Sequence, residues 1–299
     1  WPDRPVRAAA RRHRRLARLL AAGRGAGGQP MPVEPVSVRP ARLAVAGLTV
    51  TFGALTAVRD IDLAVGPGEV VGLIGPNGAG KTSLIDAISG HTCAAAGVVT
   101  LGGTPLDRLG ASRRARAGIG RSFQHLELFD DLTVLENIQA GSDPRDSRAY
   151  LTNLLAARER PLPPIAVFAI GVFRLRDDLF RTVSELPYGR RRLVSVARAV
   201  AAAPSVLLLD EPCAGLDQTE SAQLARLLRR LADDWGLAIV INDHDMSVIR
   251  GVCDRVAVVD VGRKIAEGWP AEVCRDPRVQ AAYLGRPVGE FERKGLAGA

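Results

Sequence analysis

VVGLIGPNGAGKTS, residues 70–83, is the stretch that decides how this chain folds. Val70 to Ile74 is a short unbroken apolar run, as a strand buried on both faces requires. A glycine-rich turn follows, and the spacing predicts a helix over Lys81 to Ser89. Gly75, Pro76, Asn77, Gly78, Ala79, Gly80, Lys81 and Thr82 satisfy the Walker A spacing GxxxxGK[ST] between that strand and that helix. Glycines let the main chain curl until successive N–H groups point inward at phosphate oxygens. The helix adds the positive end of its dipole. Lys81 is placed to reach β- and γ-phosphates and the Thr82 hydroxyl to ligate Mg²⁺, with Ser83 completing the loop's candidate contacts.

Reading outward, a second apolar run, Val206 to Leu209, ends in Asp210-Glu211. A carboxylate at the end of a buried strand is costly unless it meets a cation or ligand. Asp210 is expected to hold Mg²⁺ through water, and Glu211, facing the other way, to polarise an attacking water. Further strands are expected at 43–52, 61–65, 98–101, 119–123, 238–241 and 256–259. Helices are expected at 190–201, 220–232 and 246–252. Alternation of this kind predicts an α/β fold with a mostly parallel sheet. Residues from about 133 to 184 lose the strand signal and carry prolines at 161, 163 and 164, and are read as a helical subdomain.

Other motifs occur in a fixed order around these two. Phe123-Gln124 ends a strand, Leu186-Pro187-Tyr188-Gly189-Arg190 opens an arginine-rich helix, Ala214-Gly215-Leu216-Asp217 follows Glu211, and Asp243-His244-Asp245 follows the next strand. The set resembles the nucleotide-binding domain of ABC transporters over residues 42–286. The resemblance implies a P-loop ATPase with a mostly parallel core sheet, an antiparallel β subdomain and a helical subdomain. It also implies ATP and Mg²⁺ as ligands, and a homo- or heterodimer in which each cassette caps ATP on the other. By the same resemblance Gln124 senses Mg²⁺ and belongs with Glu211 and His244 in the catalytic set. Tyr188, Gly189 and Arg190 stand in the signature loop, Asp217 in the loop that crosses between subunits, and Phe52 where an aromatic ring stacks on adenine. A core position explains Phe52 almost as well. The usual signature is LSGGQ, and here Pro187 replaces its serine, Tyr188 its first glycine and Arg190 its glutamine.

Three further stretches narrow the resemblance. The LPYGR variant, the run FQHLELFDDLTVLENI that begins at Phe123, and the ending EGWPAEVCRDPRVQAAYLG at 267–285 resemble ATPases of branched-chain amino acid importers of the LivG type. On this resemblance the chain is expected to power a membrane permease for branched-chain amino acids or related small polar or amide solutes, as a separate subunit or as a fused domain, with an extracytoplasmic solute-binding protein acting indirectly. Its expected place is the cytoplasmic face of the membrane. A lipopolysaccharide-export type of ATPase, a non-transport ABC ATPase and a nucleotide-dependent regulatory module stay open as alternatives.

Composition narrows the classes further. The 299 residues are 47% apolar and 24% charged, ordinary values for a globular protein. Of the net charge of +8, residues 1–30 carry +7, so the rest of the chain is nearly neutral and no nucleic-acid surface is expected on it. Residues 1–41, rich in arginine and alanine and then in glycine and proline, are expected to form a linker that is disordered or partly helical. A tryptophan followed by clustered arginines also suits the cytoplasmic end of a membrane helix, so a permease ahead of Trp1 and a solvated basic extension are both open. Residues 287–299 are expected to be a tail. Cys93, Cys213, Cys253 and Cys274 show no CxxC pairing and are read as small core residues, and the histidines show no metal spacing.

Overall fold

The computed structural model describes residues 39–123, 126–142 and 162–283, all within the unit formed by residues 37–299. The expected linker up to residue 38, Gln124, part of the helical subdomain and the expected tail lie outside the described residues.

Two sheets carry the fold. The first is antiparallel, in the order β2-β1-β4-β5, with β1 at Leu43–Phe52, β2 at Leu55–Val65, β4 at Ala96–Leu101 and β5 at Thr104–Pro105. Alternation puts Leu43, Val45, Leu48 and Val50 of β1 on the buried face. They join Leu84, Ile85 and Ile88 of helix α1, Lys81–Ser89, in one core cluster. The antiparallel sheet thus packs on the helix that opens at Lys81.

The second sheet has the order β10-β9-β3-β8-β7-β6. Its parallel strands are β3 (Val70–Ile74), β6 (Ile119–Ser122), β7 (Val206–Asp210), β8 (Ala238–Asn242) and β9 (Arg255–Asp260), and β10 (Arg263–Gly268) runs antiparallel at the edge. Every residue of β3, β7 and β8 is buried, which is why these segments read as continuous apolar runs. Parallel pairing has a direct functional consequence. It brings the segments after β3, β6, β7 and β8, distant in sequence, to one edge of the sheet, where open α/β sheets bind their ligands.

Helix α2, Ala111–Ala117, precedes β6. Helices α3 (Val134–Ser142), α4 (Pro164–Val172) and α5 (Tyr188–Ala201) pack on one another, so the helical layer extends beyond the expected boundary at 184. Within α4 the apolar run is divided: Ile165 and Ile170 are core, Val167 is exposed, and Phe168 lies against Trp235 with ring centroids 4.1 Å apart. The remaining helices are α6 (Gln218–Trp235), α7 (Met246–Val252), α8 (Pro270–Val273) and α9 (Pro277–Tyr283). Cys213 and Cys253 are buried as expected, but Cys93 is exposed, because it sits in the turn between α1 and β4 rather than in an element that packs.

Candidate active site

The loop after β3 is built by close main-chain approaches. A Cβ on Gly75 would stand 1.9 Å from the Val259 carbonyl oxygen, and one on Gly80 2.2 Å from that of Ala57. Gly80 also has φ +101, in the region that favours glycine, and caps the start of α1. The β9–β10 turn closes the loop from outside: Gly262 N–H donates to the Ala79 carbonyl at 2.9 Å, and Arg59 N–H donates to the Gly262 carbonyl at 2.7 Å. Tyr283, at the end of α9, shares a hydrogen bond with the Gly75 main chain, and burial pushes its phenol pKa up.

Lys81 is buried, and its Nζ donates to the Gly75 and Pro76 carbonyls at 2.8 Å each. Burial lowers its pKa, while the charges of Glu211 and Asp210 oppose that shift. Thr82 is exposed beside it and Ser83 half-buried. Asn77 and Gly78 form the exposed crest of the loop, whereas Ala79 is buried beneath it.

Asp210 ends β7 and is 1% exposed. Asn242, directly opposite it in the β7–β8 register, donates from Nδ2 to Oδ1 at 2.6 Å. Arg121 of β6 approaches the other carboxylate oxygen at 3.8 Å, and its guanidinium also bonds Ser89 and lies 4.5 Å from the Phe123 ring centroid. Sequence reading missed Arg121 and Asn242. The available signals were a cation inside the strand expected at 119–123 and an amide closing an apolar run.

Glu211 takes φ +49, a costly conformation for a residue with a Cβ, and its N–H donates to the Asn242 carbonyl at 2.7 Å. His244 Nε2 lies 3.0 Å from Glu211 Oε1. Asp243, just before it, accepts from the N–H groups of Cys213 at 2.9 Å and Asp245 at 3.0 Å, tying the turn after β7 to the turn after β8.

The second group of expected residues gathers around the start of α5. Pro187 is its N-cap, Tyr188 is exposed and Gly189 is buried. Arg190 turns inward: Nε donates to Asp178 Oδ2 at 2.8 Å, and Nη2 bonds both that carboxylate and the Arg174 carbonyl. Asp217 caps α6 in a reciprocal box with Glu220, accepting from Glu220 N–H at 2.8 Å. Phe52 is 49% exposed at the β1–β2 turn, in the segment leading to the Ala57 carbonyl that meets Gly80.

A magnesium ion fits this donor set. Mg²⁺ takes few protein ligands and fills its octahedron with water and phosphate oxygens, and a strand-end carboxylate with a helix-start hydroxyl is such a set. Among the described residues no group of three or more His, Cys, Asp or Glu could hold a metal by itself.

Known proteins share both the sequence pattern and the fold. A family model described as ABC transporter matches residues 58–214, and one described as Branched-chain amino acid ATP-binding cassette transporter matches residues 263–288. The high-affinity branched-chain amino acid transport ATP-binding protein LivG of Salmonella typhimurium is 36% identical over 249 residues, covering 81% of this chain and 97% of that protein. The lipopolysaccharide export system ATP-binding protein LptB of Escherichia coli is 35% identical over 245 residues, covering 82% and 98%. The ADP conformation of MJ1267, an ATP-binding cassette of an ABC transporter, superposes with a TM-score of 0.72 at 26% identity, covering 82% and 99%.

Proposed function

The chain belongs to the ABC transporter ATP-binding family, and on that premise we propose that it drives uptake of branched-chain amino acids through a membrane permease. It is the ATPase component of a transporter. The observation that carries the finer reading is the match of residues 263–288 to the branched-chain family, in addition to the general cassette.

In this reading the main-chain N–H groups of the loop after β3 and the Lys81 ammonium hold the phosphates of ATP. Thr82 and Asp210, with Gln124, would hold Mg²⁺, which when bound neutralises charge on the β- and γ-phosphate oxygens. Glu211 accepts a proton from water as its oxygen attacks the γ-phosphorus. The bond to the β–γ bridging oxygen breaks, and ADP and inorganic phosphate leave. His244 holds Glu211 in line and lies beside the γ-phosphate, and Phe52 stacks on the adenine. A second cassette, identical or related, presents the main-chain N–H groups of Tyr188, Gly189 and Arg190, at the start of α5, to that phosphate, with Asp217 at the crossing contact. The permease, whether separate or fused, sits against the helical layer at the cytoplasmic face of the membrane, and a solute-binding protein delivers cargo to it. No nucleic acid takes part. Among the described residues no helix is long and apolar enough to cross a membrane.

Export of lipopolysaccharide is the competing reading, supported by the 35% identity to LptB. Uptake of labelled leucine, isoleucine and valine in cells carrying chromosomal Lys81→Met tests between them. Uptake falling to background supports import. Unchanged uptake with a defective outer membrane supports export instead.

A further inference from the structure

The signature turn is held from two sides by its own subunit, and both holds depend on residues outside the usual signature sequence. Arg192, one turn along α5 from Tyr188, is wholly buried. Its Nη2 donates to the Tyr188 hydroxyl at 2.7 Å, and its guanidinium lies 5.5 Å from that ring's centroid. Its Nη1 donates to the Phe123 carbonyl at 3.1 Å, at the end of β6 and next to Gln124. On the other side the Tyr188 ring covers Gly215: a Cβ there would stand 2.6 Å from Cε1, and Gly215 itself has φ +76. Gly189 meets the first turn of α6, which that loop leads into: Glu220 Oε1 would be 2.4 Å from a Cβ on Gly189.

We propose that Tyr188 and Arg192 are positioning residues that brace the signature turn between the end of β6 and the Ala214–Asp217 loop, so that these segments move together when a partner's ATP is capped. A buried guanidinium is costly unless its hydrogen bonds are made, so the arrangement resists loosening of either end. The i, i+4 spacing puts the phenol and the guanidinium on one face of α5, which a glycine at position 188 could not supply. The tyrosine therefore replaces a flexible position with a strut, and Gly215 provides the room for its ring. This inference rests on the ATPase reading with two cooperating cassettes.

The test compares Tyr188→Phe, Tyr188→Gly and Arg192→Gln in the whole chain, each alone and combined with Glu211→Gln. Sedimentation in the combined variants reads ATP-driven dimerisation, phosphate release reads turnover, and calorimetry at dilute protein reads ATP binding to the chain's own loop. Tyr188→Phe keeps the ring and loses the hydroxyl, so it is the variant least able to disturb folding. The ATP concentration for half-dimerisation is expected to rise about tenfold in Tyr188→Phe and further in Tyr188→Gly, with ATP affinity at dilute protein retained. Tyr188→Gly that dimerises and turns over like the parent overturns the proposal. So does a loss of ATP affinity that matches the loss of dimerisation, because the defect is then a general one. A parent chain that hydrolyses no ATP refutes the underlying reading, and the positioning role with it.

Discussion

Glu211 Oε1 and His244 Nε2 lie 3.0 Å apart, at the ends of neighbouring parallel strands. The contact holds the carboxylate while its main chain sits at φ +49 and donates to the Asn242 carbonyl. A group held this way loses little entropy when it accepts a proton. Glu211→Gln keeps the side chain's shape and removes the base. Phosphate release is expected to fall by about 10²- to 10⁴-fold while ATP still binds. Residual turnover above about a tenth of the parent's would remove Glu211 from the base role.

Lys81 is a buried cation whose pKa burial lowers, so its charge is held at a cost to the fold. Lys81→Met is expected to abolish the thermal stabilisation that saturating ATP gives the parent, about 2.7 kcal/mol at a hundredfold excess over Kd. Without nucleotide, the variant is expected to melt no earlier than the parent. A variant that ATP still stabilises fully would move the phosphate contact away from Lys81.

Arg114 joins the loop-bearing helix to its neighbour. Its Nη1 donates to the Ala87 and Ile88 carbonyls at 2.8 and 2.9 Å, and Nε to the Leu109 carbonyl at 2.8 Å. The first two are carbonyls at the C-terminal end of α1, where a cation is favourable. Arg114→Met leaves them without that donor and is expected to cost about 3 kcal/mol in urea unfolding. An unchanged midpoint would show that water replaces the guanidinium.

Much of the site could be read before folding, because its residues adjoin strongly patterned elements. Leu43–Phe52, Lys81–Ser89 and Met246–Val252 have the bounds that their spacing predicts. Helix α5 begins two residues earlier than expected, at Tyr188, because Pro187 presets the N-cap backbone. What escaped the sequence are the buried cations. Arg114, Arg121 and Arg192 each bond groups from distant segments, and a lone arginine in a strand or helix does not reveal which carbonyl or carboxylate it will meet. The exposed Cys93 escaped for the opposite reason, since residue type says nothing of a turn that fails to pack.

Asp243 gives the site a pH dependence. Burial raises its carboxyl pKa above the ordinary 3.8, against the pull of the Asp245 and Cys213 N–H groups. The unfolded chain therefore ionises first. The stability this group contributes is fully present below the unfolded value and is lost as pH rises through the folded one. Asp243→Asn cannot ionise, so its stability relative to the parent is expected to improve as pH rises above the ordinary carboxyl value. Urea midpoints of the two chains that shift in parallel above that value would show that Asp243 does not titrate there.

Arg190 carries the sharpest choice between two roles. The resemblance assigns it to a partner's phosphate, whereas in this chain its guanidinium bonds Asp178, whose side chain is 11% exposed. Removing one member of such a pair leaves a poorly hydrated charge behind, and the 30% exposure of Arg190 moderates the cost. Arg181 Nη1 still bonds Asp178 Oδ1 at 3.2 Å, so Arg190→Gln is expected to lower stability by about 1 kcal/mol, and adding Asp178→Asn to recover part of it, because the buried carboxylate is then neutral. The coupling from the double-mutant cycle measures the pair itself. If the cation instead serves the partner's ATP, Arg190→Gln leaves unfolding unchanged and lowers turnover, and Asp178→Asn restores nothing. Urea unfolding and phosphate release on the same four chains separate these outcomes.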